Sequence, residues 1–186
     1  MTKLVSGSAR MLSSEELNKL FNEGFTSPRD KALFGICFFT GCRISEALQL
    51  LTSDITKDAI TFRKDITKGK LQTRRAYISN DLQQILKEYT PRNNPHNAMF
   101  PGKRGVSVFL SRDAADKILR KTCKSLGLEG VSTHSFRRTA LTLMSNSNVP
   151  LRHIQEISGH RDLGALQKYL EVTDKQIKDA ADFIKF

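Results

Sequence analysis

The stretch from His134 to Tyr169, HSFRRTALTLMSNSNVPLRHIQEISGHRDLGALQKY, decides how the rest of the chain is read. His134 and Arg137 stand three apart, Gly159-His160 follows, and Tyr169 lies nine residues beyond His160. An arginine fork and two imidazoles can hold and neutralise a phosphate, and a phenol is a nucleophile able to carry a covalent phosphoryl group. The same stretch predicts three helices. The first starts near His134, Pro150 sets up the second, which Gly159 ends, and Asp162 caps the third, which carries Tyr169. Each residue also has a plainer explanation. Tyr169 beside Leu170 could be a packed aromatic, Gly159-His160 a helix cap, and His134 an imidazole satisfied locally.

Downstream, Thr173 and Gln176 predict a capping box for a final helix with Ile177, Ala181 and Ile184 on one side. Upstream, Ser111 caps a helix whose Ala114, Ala115, Ile118, Leu119, Thr122 and Cys123 form an apolar stripe ended by Gly127. Its other face carries Lys117, Arg120, Lys121 and Lys124, a basic strip that suits phosphates, though a solvated helix face has the same pattern.

Further back, Ser13 and Glu16 make a capping box for a short helix ending at Gly24, and Pro28 opens a second helix that buries Leu33, Ile36, Cys37 and Phe39. Gly41 leads into TGCRISEALQL, with Arg43 at a helix entrance where backbone N–H groups favour anions. Ala59 to Phe62 and Arg75 to Ile78 are β-prone runs, predicting a small antiparallel sheet. It carries Arg63, Lys64, Lys68, Lys70, Arg74 and Arg75 against Asp65 alone, which suits a DNA groove or a lysine-protected edge. Asn80 or Asp81 is the expected cap of a helix with Leu82, Ile85 and Leu86 on one face.

Over 186 residues the formal net charge is +11, with 39% hydrophobic and 26% charged residues. That surplus suits a polyanion partner, and no apolar run is long enough to span a membrane. The three cysteines, at unrelated spacings, fit neither a disulfide framework nor a zinc site, so a reducing, cytoplasmic setting is expected, nucleoid-associated in a prokaryote. His134, His153 and His160 lack metal-ligand spacing, and no metal or other cofactor is expected.

Together these residues resemble the tyrosine recombinases, or phage integrase family, over a catalytic domain running from about Leu12 to the C-terminus. TGCRISEAL is similar to the family's first arginine box, HSFRRT to its His-x-x-Arg box, and SGH with Tyr169 to its closing histidine and nucleophile. The resemblance implies a mainly α fold with a small antiparallel β-sheet. It makes Arg43 and Arg137 the phosphate clamp, with His134 and His160 beside them, Glu46 the support of Arg43, and Tyr169 the nucleophile. Lys68 becomes the proton donor to the leaving 5′-oxygen, with Lys70 its rival, and Arg138 joins the DNA-binding set. The implied partners are double-stranded DNA and further copies of the chain, a tetramer on DNA.

The expected organisation is a single catalytic domain over 1–186, its core about 12–172, followed by a C-terminal helix over 173–186. The family's N-terminal DNA-clamping domain is expected to be absent from this chain. Ser158 departs from the family pattern, which has leucine before Gly-His, and Leu166 from a common threonine three residues before the nucleophile. The rival functions are type IB topoisomerase-like relaxation and a non-catalytic DNA-binding relative.

Overall fold

The computed structural model describes residues 9–67, 72–103, 107–160, 162–167 and 174–182. The Ser13–Glu16 capping box opens α1 (Ser14–Lys19), and a wider π-helical turn carries the chain from Leu20 to Gly24. Pro28 stands at the first position of α2 (Pro28–Thr40), where its missing N–H leaves no helical bond unmade. Gly41 ends α2 at φ +59°, a left-handed conformation that glycine adopts without cost, and α3 (Ile44–Leu48) follows at once.

Strands β1 (Ala59–Phe62) and β2 (Arg74–Tyr77) pair antiparallel, with Ala59 opposite Tyr77 and Phe62 opposite Arg74. The second strand begins one residue earlier than the sequence predicts, and that residue is Arg74. Helix α4 (Asn80–Lys87) is capped by Ser79, whose hydroxyl accepts the Leu82 N–H; the expected caps Asn80 and Asp81 are its first two helical residues. Ser111 caps α5 (Arg112–Ser125) as its sequence predicts. The chain then forms α6 (Thr133–Asn146), α7 (Leu151–Ser158), α8 (Leu163–Gln167) and α9 (Asp174–Ala181). The fold is mainly helical with a small antiparallel sheet, the class expected from sequence.

The main core is aromatic at its centre. Phe25 stacks on Phe34 with ring centroids 4.8 Å apart, and Phe34 on Phe136 at 5.3 Å. Phe136 lies between His134 and Arg137 on α6, so its burial, a gain of about 1.5–3 kcal/mol, fixes where both neighbours point. A smaller cluster of Leu141, Ile154 and Leu166 packs α6, α7 and α8 together. Leu166, where the family has threonine, is thus a core side chain. No helix among the described residues is long and apolar enough to cross a membrane.

Candidate active site

Glu46 is the centre of the site. It is 2% exposed, and its Oε2 accepts the backbone N–H of Arg43 at 3.0 Å while its Oε1 accepts Nη1 of the same arginine at 2.9 Å. Arg74 reaches in from β2, and its Nη2 donates to Oε2 at 3.1 Å. Burial pushes the Glu46 carboxyl up, but the Arg43 N–H and the charges of Arg74 and Arg43 outweigh it and hold the group below the usual carboxylate range. It stays an anion, and it aligns two guanidiniums.

Arg137 is also 2% exposed. Its Nη1 donates to the carbonyl of Gly41 at 2.6 Å, so the left-handed turn that ends α2 is also an anchor for the second arginine. Burial first, then the charge of Arg43, brings its pKa down to about 10, which still leaves it charged at neutral pH. Its Nη2 lies 3.1 Å from Nε2 and 3.3 Å from Nδ1 of His160. Burial, then Arg137 and Arg43, lower His160 to about 4, so its ring is neutral in the free protein. His134, exposed on the first turn of α6, is lowered by burial of its ring and by Arg112, Arg137 and Arg43, with Asp116 opposing.

A cleft of about 330 Å³ opens over this frame, lined by Arg43, Arg74, Gly159, His160, Thr67 and Gln72. Lys68 and Lys70 lie outside the described residues, as does Tyr169. Thr67 and Gln72, which flank the stretch containing both lysines, face the cleft. Arg43, Glu46, His134, Arg137 and His160 are therefore brought together from α3, α6 and the end of α7.

Two expected DNA contacts lie elsewhere. Arg74 is 7% exposed; its guanidinium packs 4.1 Å over the Phe62 ring, and Nη1 donates to the Ile157 carbonyl at the end of α7. A Cβ on Gly159 would come within 3.2 Å of the Arg74 side chain, so glycine is needed there for close approach as well as for its φ of +66°. Arg63 pairs with Asp54 and donates to the Gln49 carbonyl at 3.1 Å, bracing the turn before β1. The charge of Arg74 is met inside the fold, and that of the half-buried Arg63 by Asp54 and the exposed Asp65. Lys64 and Arg75 are exposed on the hairpin, Lys117, Arg120, Lys121 and Lys124 are exposed along α5, and Arg138 is half-buried.

Sequence reasoning missed Arg74 as an organiser, although a signal was present: in β2, Arg74 and the apolar Ala76 share one parity, and both are buried, while Arg75 and Tyr77 are exposed. It also gave no role to Ser158, which is fully buried with Oγ 2.7 Å from Nδ1 of His160. Among the described residues no group of three His, Cys, Asp or Glu side chains is placed to hold a metal.

Comparison with known proteins agrees with this geometry. The model of the phage integrase family matches residues 10–176. Tyrosine recombinase XerD of Corynebacterium glutamicum is 30% identical over 158 residues, covering 81% of this chain and 51% of that protein. Tyrosine recombinase XerC of Caldanaerobacter subterraneus subsp. tengcongensis is 31% identical over 181 residues, covering 92% and 50%. The chain thus spans about half the length of these curated relatives. The crystal structure of XerA recombinase shares the fold with a TM-score of 0.78 at 21% identity, over 95% of this chain and 66% of that one. XerH site-specific recombinase, bound to its difH substrate in a pre-cleavage complex, does so at 0.73 and 24% identity, over 93% and 53%. A match across nearly the whole chain establishes that the chain belongs to the phage integrase family.

Proposed function

We propose that this chain is the catalytic domain of a site-specific DNA recombinase that cleaves and rejoins strands through a 3′-phosphotyrosine at Tyr169, without metal or ATP. The observation that carries the reading is the buried frame in which Glu46 aligns Arg43 and Gly41 anchors Arg137 beside His160. A phosphodiester resists attack because its non-bridging oxygens are negative, and more charge gathers there in the transition state. Two fixed guanidiniums held by the fold meet that charge with little reorganisation.

The phenol oxygen of Tyr169 attacks phosphorus, its proton passing to a base. His134, whose pKa is lowered by partial burial of its ring and by three arginines, suits that role. The bond from phosphorus to the 5′-oxygen breaks, and Lys68 protonates the departing oxygen. Because the ester energy stays in the phosphotyrosine link, a 5′-hydroxyl from a second duplex can reverse the step. DNA would lie against Lys64, Arg75 and the exposed strip of α5, with several copies of the chain assembled on it. The partner is inferred from the basic surface and from the similarly folded Tn1549 transposon integrase, whose structure is a complex with circular intermediate DNA.

A nicked suicide duplex, which loses its 5′-hydroxyl fragment after cleavage, tests the reading. The wild-type chain should become covalently attached and Tyr169→Phe should bind but not attach. Attachment by the phenylalanine variant would overturn the nucleophile. Supercoil relaxation without recombinant product would instead assign a topoisomerase.

A further inference from the structure

Ser158 takes no part in the chemistry above, yet its side chain is fully buried against the histidine that does. Its Oγ lies 2.7 Å from Nδ1 of His160 and 3.2 Å from the carbonyl of Gln155. That carbonyl can only accept, so a hydroxyl proton directed to it leaves an oxygen lone pair for an N–H at Nδ1. Nη2 of Arg137, which can only donate, stands 3.1 Å from Nε2 and 3.3 Å from Nδ1, nearer the former. A neutral imidazole that gives its Nδ1–H to Ser158 keeps its lone pair at Nε2, the nitrogen nearer Arg137.

We propose that Ser158 is a positioning residue: by accepting Nδ1–H it fixes the rotamer and tautomer of His160, so that Nε2 is the edge turned to the scissile phosphate. The proposal rests on the reading of Arg43, Arg137 and His160 as a phosphate site. An acceptor at Nδ1 suits the imidazolium as well as the neutral ring. When a phosphate anion enters and takes the Arg137 N–H, the freed lone pair of Nε2 can take a proton from solvent and donate to the phosphate with no rotation of the ring. The charged groups facing the ring are Arg137 from α6, Arg43 and Glu46 from α3, and Asp162 before α8.

The local backbone makes the contact. The φ of +66° at Gly159 folds the chain so that residues 158 and 160 meet side by side, and Arg74 holds the turn by the Ile157 carbonyl.

Two measurements on the full chain test the proposal. Nitrogen-15 NMR of the histidine rings near neutral pH should show His160 protonated at Nδ1 in the wild type and in Ser158→Thr, with that bias lost in Ser158→Ala. On the suicide duplex, Ser158→Ala should cleave about tenfold more slowly, the scale of one hydrogen bond, with DNA affinity unchanged. Ser158→Thr should restore the rate, and Ser158→Ala should cost nothing further in a His160→Ala background. A wild-type ring protonated at Nε2, or a serine effect that persists without His160, would overturn it. If the wild-type chain never attaches to DNA, the recombinase reading fails, and the NMR measurement alone decides the Ser158–His160 bond.

Discussion

The two halves of the site stand on unequal foundations. Arg43, Glu46 and Arg74 belong to α3 and β2, packed on the main core in which Phe34, Phe62, Phe100 and Phe136 are fully buried. His160 stands at the end of α7, whose support is the aliphatic cluster of Leu141, Ile154 and Leu166. Helix α6 joins them, with Phe136 in one cluster and Leu141 in the other. The guanidinium frame is thus set by a large core before any ligand arrives. The histidine end is held by fewer apolar contacts and by polar struts, Arg137 to Gly41 and Arg74 to Ile157. Segments with little apolar burial open at lower free energy than the global core, so adjustment to a ligand belongs on the α7 side.

Phe136→Ala strikes the stronger half. Removing a fully buried ring should cost about 3–5 kcal/mol in urea unfolding, and cleavage should fall with it because His134 and Arg137 lose their shared anchor. A loss below about 1 kcal/mol would mean that the aromatic cluster is not the keystone. Arg74→Ala comes next. Taking one partner from a buried ion pair should cost about 3 kcal/mol, the low end of such losses because Arg43 still serves Glu46. Cleavage should drop more than stability requires, since the strut to the Ile157 carbonyl at the α7 turn belongs to this side chain.

A matched pair of small deletions compares the halves directly. Ile36→Val in the main core and Ile154→Val in the second cluster should each cost about 0.5–1.5 kcal/mol. Only Ile154→Val should also slow DNA cleavage, by about threefold, because it lets the α7 turn shift. Equal cleavage rates in the two variants would show that the second cluster is as stiff as the first.

The pH dependence of stability reads the same boundary. His160 titrates at about 4 when folded, against 6.5 as an ordinary histidine. Between those values the unfolded chain holds a proton that the folded chain lacks, so falling pH favours unfolding, and stability should rise from about pH 4 to 6.5 and level off above. His134 is shifted in the same direction. Thermal melting across that range should show a shallower slope in His160→Gln. An unchanged slope would place the ring in solvent.

The parts of this molecule legible in the sequence are those carried by local rules. The Ser13 capping box, Pro28 at a helix start, Ser111 as a cap and the glycine stops at 41 and 159 are each set by a few adjacent residues, and all appear as expected. The arginine boxes were legible because their order along the chain is specific. What was not legible depends on who faces whom across the fold. Arg63 and Arg74 count as surface cations in composition, yet their partners Asp54 and Glu46 lie 9 and 28 positions away. In the sequence Ser158 is only a departure from leucine, because its bond to His160 depends on the left-handed turn between them.

The smallest effect separates two adjacent arginines. Arg74 and Arg75 are neighbours on β2, but strand alternation sends Arg74 into the fold and leaves Arg75 outside, its guanidinium 5.5 Å from the centre of the exposed Tyr77 ring. Arg75→Ala should therefore change stability by no more than about 0.5 kcal/mol. If Arg75 meets a DNA phosphate, its loss weakens binding and lowers the slope of log affinity against log salt by about 0.9, the release of one condensed counterion. Arg74→Ala should leave that slope alone while lowering the melting temperature, since its charge is already spent on Glu46. Anisotropy titrations with duplex DNA at several salt concentrations measure both variants. An unchanged slope for Arg75→Ala would take the hairpin off the DNA and leave the basic strip of α5 to carry the electrostatic contact. A reduced slope for Arg74→Ala would mean that this arginine leaves the carboxylate when DNA binds, and that the frame around Glu46 is less rigid than its burial implies.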